Sequence, residues 1–191
     1  MKTTEPNVRQ RLKVETAESH KRLDNLLSDR GPFNSAANYQ WYLKGMYTLY
    51  RHCESSINWV EEKAELSARE NCLFELIESD LETLGEQAPS VVAAPETQAN
   101  SDLANDDASR WARAYVMEGS AVGASFMIRG AKQKLGSEIG CRFLTQLAAD
   151  AKQRWPKFIT ELTAVEIDGD QAVAAACDVF TLAYGIFESR A

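Results

Sequence analysis

At 191 residues, with 45% hydrophobic and 26% charged side chains, the chain is long enough for one hydrophobic core and short for two. Its formal net charge of −7 argues against general affinity for nucleic acid, whose phosphates require a basic face. There is no apolar run of about 18 residues that could span a bilayer, and the opening MKTTEPNVRQRLK has no apolar signal core, so the expected location is cytoplasmic.

Almost every segment reads as helix, and strand-type alternation bounded by turn residues is missing. The first predicted helix runs from about Pro6 to Leu27, with Leu12, Thr16, His20, Leu23 and Leu27 along one stripe, and Gly31-Pro32 ends it. Asn34 or Ser35 caps a long second helix whose inward stripe includes Tyr39, Met46, Tyr50, Cys53, Ile57 and Val60. A third helix, near Arg69 to Leu84, stops at Gly85. Residues 86–107, which contain Pro89 and Pro95, read as a surface loop. A fourth helix follows from about Asp107 to Leu135. A fifth carries Phe143, Leu147, Trp155, Phe158 and Leu162, with a kink or restart expected at Pro156. The turn Asp168-Gly169-Asp170 opens a last helix. The predicted architecture is all-α, a single domain over residues 1–191. Cys53, Cys72, Cys141 and Cys177 form no C-x-x-C pair, which fits reduced thiols better than a disulfide framework or zinc site.

The fourth helix has an anomaly. Gly119 and Gly123 stand four apart in its middle and Gly130 two turns on, although each interior glycine costs roughly 1 kcal/mol relative to alanine. Small residues at that spacing let two helices pack closely, so the pair alone is a weak signal. Of the two histidines, His52 lies beside the inward stripe of the second helix and reads as a boundary residue. His20 sits on an apolar line, where a packed core histidine is the plain alternative. Asp24, at i+4, can accept one imidazole N–H and so fix tautomer and orientation, as metal-binding histidines require. Lys13 stands two turns earlier, about 10 Å along a helix, a distance comparable to that between a macrocycle's central metal and its peripheral carboxylates. It reads equally as a solvated charge. Neither histidine has glutamate three residues before it, so a di-iron carboxylate bundle does not fit. No nucleophile elbow supports a hydrolase.

Taken together, RLKVETAESHKRLDNLL and YVMEGSAVGASFMI resemble the heme oxygenases, especially the bacterial, biliverdin-producing branch; SDLETLG and RWPKFITEL occur in the matching order. The resemblance spans nearly the whole chain. It implies a helical bundle holding heme between a proximal helix and a distal helix kinked at its glycines. His20 would be the iron ligand, Asp24 its hydrogen-bond partner, and Gly119 and Gly123 the distal glycines. A side chain at either glycine would then enter the space needed by dioxygen. Ser120 replaces the acidic residue of animal members and could anchor a water, with tyrosines of the second helix as further candidates.

The implied reaction uses heme b as cofactor and substrate, with O2 and electrons giving biliverdin, carbon monoxide and iron. A ferredoxin or flavoprotein reductase would be the electron donor. Two departures stand out: Ala124 replaces a third glycine, and the last helix has no basic residue before Arg190. Lys13, then Lys134 and Arg129, are therefore the candidates for the propionates. The cluster of Arg129, Lys132 and Lys134 is equally compatible with a solvated face or a dock for an acidic donor. A heme carrier that does not degrade its ligand, and a relative of the same fold that binds none, remain the competing readings.

Overall fold

The computed structural model describes residues 7–66, 72–90, 106–136 and 139–189, which contain seven helices and no strand. They are α1 (Val8–Glu15), α2 (Ala17–Arg30), α3 (Ala36–Lys63), α4 (Leu73–Thr83), α5 (Asp107–Leu135), α6 (Arg142–Ala164) and α7 (Gly169–Glu188). Of the predicted 86–107 loop, residues 86–90 are irregular and Asp107 already belongs to α5, while most of the remainder lies outside the described residues.

Helix starts follow local chemistry. Asn7 forms a reciprocal capping box with Gln10, and Ser35 accepts from the Asn38 amide at 3.1 Å. Asp106 accepts from the Ser109 amide at 2.9 Å, and Asp168 from those of Asp170 and Gln171. Gly31 closes α2 at φ +63°, a left-handed conformation that glycine adopts without a Cβ penalty.

The predicted first helix is two. Thr16 separates α1 from α2, and its hydroxyl donates back to the Leu12 carbonyl at 2.7 Å. A threonine bonding to the carbonyl four residues earlier competes with the helical ladder and bends the chain. Lys13 and His20 consequently stand on different helices, so their spacing is not set by one helical rise. Pro156 produces the opposite surprise, because α6 continues through it without a restart.

The core centres on α5, which packs against α3, α6 and α7. The stripe predicted for α3 is buried throughout, with Tyr39, Leu43 and Val60 fully so. Phe187 of α7 stacks on Tyr42 with ring centroids 6.1 Å apart, in the space left by Gly45, where an added Cβ would fall 2.1 Å from the Phe187 ring. A second cluster joins Leu12, Trp111, Phe158, Leu162 and Ala176, tying α1 to α5, α6 and α7. The polar join of α4 to α6 is Asp80, fully buried, which accepts from the amides of Arg142 and Phe143 at 3.1 and 3.0 Å. A side chain from another helix thus satisfies two of the four amides that a helix start leaves open. All four cysteines are free, and burial pushes the Cys53 thiol up to about 12.

Candidate functional site

α2 contains no fully buried residue, although Leu23, Leu26 and Leu27 are apolar and half-buried. It packs on α7 and adjoins α1, leaving a mixed face uncovered. His20 stands there with its side chain 60% exposed, its ring edge-on to Phe180 of α7 at 5.6 Å between centroids. Asp24 Oδ2 lies 2.9 Å from His20 Nδ1, an i,i+4 contact. The geometry assigns the proton of the neutral imidazole to Nδ1 and leaves the Nε2 lone pair available. Two residues on, the Arg22 guanidinium sits 3.8 Å over the Tyr184 ring, a second tie between α2 and α7.

α5 also packs on α7, but α2 and α5 do not form a packed pair. Its three interior glycines differ. An added Cβ on Gly123 or Gly130 meets nothing within 4 Å, so neither is there for close helix packing. At Gly119 it would lie 3.8 Å from Cη2 and Cζ3 of Trp155. A methyl group is tolerated there, whereas a longer side chain meets the indole. Gly123 thus opens onto free space, while at Gly119 the space is bounded by Trp155. Tyr115, one turn before Gly119, packs on the same indole with centroids 5.7 Å apart.

Ser120 faces α3. Its hydroxyl donates to the Met117 carbonyl at 2.6 Å and lies 3.2 Å from the Tyr50 hydroxyl. With the serine proton committed, Tyr50 is the donor of the second bond, and one serine lone pair is left over. Among the α3 tyrosines, Tyr50 is thus the one bonded to Ser120. His52, on the same helix, is half-buried and desolvation lowers its pKa.

Lys13 and Arg129 are exposed, while Lys134 Nζ donates to Asn34 Oδ1 at 2.8 Å and so links the end of α5 to the loop after α2. Sequence reading missed Trp155 at Gly119 and the ion pair behind it. Glu118, 1% exposed, takes bonds from Arg154 Nη2 at 2.7 Å and Nε at 3.3 Å. A carboxylate on the buried side of α5, between Ala114 and Ala121, was the available signal. A separate open depression beside α4 is rimmed by Glu75, Glu78, Glu82 and Glu86. It offers no imidazole, and its charge disfavours an anionic ligand.

The described residues thus form a helical bundle that presents an exposed imidazole held by a carboxylate on α2 and, on α5, open space over two interior glycines. The chain belongs to the heme oxygenase family, whose model matches residues 6–189. It is 28% identical over 185 residues to heme oxygenase PigA of Pseudomonas aeruginosa, covering 93% of this chain and 90% of that one. Its fold matches that of the NO- and CO-bound heme oxygenase of Neisseria meningitidis with a TM-score of 0.78, at 23% identity, over 96% of this chain and 92% of the other. No helix among the described residues is long and apolar enough to cross a membrane.

Proposed function

We propose that this protein binds heme through His20 and opens the ring oxidatively, yielding biliverdin, carbon monoxide and iron. The observation that carries the reading is the His20–Asp24 pair on the uncovered face of α2, because a carboxylate at Nδ1 orients the ring and leaves Nε2 as the nitrogen to meet a metal. The residues fit the group. His20 would hold a macrocycle's iron through one imidazole nitrogen, and the bare face at Gly123 and Gly130 would leave room for a flat ring.

When bound, heme supplies both the iron that activates O2 with delivered electrons and the ring that is cleaved. The chain's own residues shape that chemistry. Asp24 holds the imidazole in one tautomer. Gly123 keeps side chains out of the open face, and Trp155 bounds it at Gly119. Ser120, steadied by Tyr50 and the Met117 carbonyl, has a lone pair with which to hold a water and guide protons. Lys13, Lys134 and Arg129 are the cations proposed for the propionates. Lys134 would exchange its neutral partner, Asn34, for a carboxylate, which makes a stronger, charge-assisted bond. A ferredoxin or flavoprotein reductase is the proposed electron source.

Hemin titration tests the binding step: a Soret shift that His20→Ala abolishes is expected, and one that survives the substitution refutes the ligand assignment. Ascorbate or a reductase should then bleach the Soret band while red absorbance from biliverdin grows. Bound heme that persists through this treatment would make the protein a heme carrier instead.

A further inference from the structure

Gly119 and Gly123 lower the helix propensity of α5, and nothing lies within 4 Å of a Cβ at Gly123, so that stretch must be held from behind. Arg154 of α6 lies behind it. Its side chain is 6% exposed and grips Glu118, 1% exposed, through Nη2 at 2.7 Å and Nε at 3.3 Å. The same Nη2 reaches Glu61 of α3 at 2.7 Å. One guanidinium therefore references α5 to both α3 and α6, one residue before the first glycine. The next residue on α6, Trp155, lies against Gly119 itself, so positions 154 and 155 hold consecutive residues of α5.

We propose that Arg154 is a positioning residue: through Glu118 it fixes where the Gly119–Gly123 backbone stands beside the open face, a role that rests on the heme reading above. The planar fork suits the task. Its two bonds to one carboxylate set direction as well as distance, which a lysine's single ammonium does not. A backbone displaced by about 1 Å can cost on the order of a hundredfold in rate even when every reacting group is retained.

The test uses the full chain with Arg154→Lys and, as a gentler change, Glu118→Gln. In heme-free protein, amides 119–123 should exchange with deuterium about tenfold faster in Arg154→Lys, with α7 amides unchanged and a cooperative melt retained. Glu118→Gln should shift them the same way, by less. After hemin loading the Soret position should stay that of the parent, since His20 is untouched, while the C–O stretching band of the ferrous carbon monoxide complex moves or broadens. Parent-like exchange at 119–123 together with a parent-like C–O band overturns the proposal. So does global unfolding of Arg154→Lys alongside a parent-like Glu118→Gln, which would make the pair a prop of the fold alone. If the unaltered protein binds no hemin, the heme reading fails, and the exchange measurement still decides whether Arg154 positions the glycines.

Discussion

Asp24 Oδ2 stands 2.9 Å from His20 Nδ1, one turn along α2, with both side chains more than half exposed. Exposed pairs of this kind add little to folding, about 0.5 kcal/mol or less within a helix. The arrangement is therefore better suited to orienting the ring than to stabilising the helix. Asp24→Ala should leave the heme-free melting temperature nearly unchanged and weaken hemin binding by roughly tenfold or more. Calorimetry and hemin titration measure the two effects separately. A large loss of stability with unchanged affinity would reverse the assignment.

The open space at Gly123 separates stability from function. Gly123→Ala adds a methyl group that meets nothing, so heme-free protein should gain up to about 1 kcal/mol from helix propensity. Gly123→Leu should also fold, because its side chain enters free space, yet it should lose turnover by filling the proposed oxygen site. Gly119→Leu should differ by destabilising the heme-free protein, since Trp155 bounds that position. Parallel melts and turnover assays of the three variants check the distinction.

The helical pattern was legible because α3, α5 and α7 are long and each opens on a side-chain cap. His20–Asp24 was legible because an i,i+4 pair is written within one helix. The Thr16 break escaped because a threonine's back-bond to Leu12 leaves the apolar spacing intact. Trp155 at Gly119, Arg154 on Glu118 and Lys134 on Asn34 escaped for another reason. Each joins residues 36 or more apart in the chain, and their meeting depends on how whole helices cross.

Asp80 should govern stability from a position remote from the site. Asp80→Ala leaves the amides of Arg142 and Phe143 and the Tyr39 hydroxyl short of an acceptor in the interior, for a loss of roughly 3 kcal/mol in urea unfolding. Its pH dependence has a definite sign. Burial raises the Asp80 carboxyl above its ordinary value, outweighing the opposing amide bonds and Arg142. The folded state then holds this proton more tightly than the unfolded chain does. The contribution is complete below the unfolded value, about 3.9, and is lost as pH rises through the folded one. Relative to Asp80→Asn, the parent should lose stability over that acidic interval as pH increases. A difference that grows in the parent's favour would contradict this account.

Tyr50 is the side chain on which the proton-delivery reading can be tested most sharply. It is 2% exposed, packs edge-on against Phe143, and gives its hydroxyl proton to Ser120. Tyr50→Phe keeps the ring and removes one neutral hydrogen bond, so about 1 kcal/mol of stability should go, with hemin affinity unchanged because nothing near His20 moves. Ser120 keeps its bond to the Met117 carbonyl, but the lone pair that Tyr50 occupied becomes free. A water held there would gain a second way to bind and lose its single orientation. Turnover should fall severalfold, with a larger solvent deuterium isotope effect if proton transfer becomes limiting. Ser120→Ala should produce the same kinetic change, and combining the two substitutions should add little, because both act on one hydroxyl pair. Fully additive losses would show that the two side chains act independently, and the tyrosine would then be only a packing residue of α3.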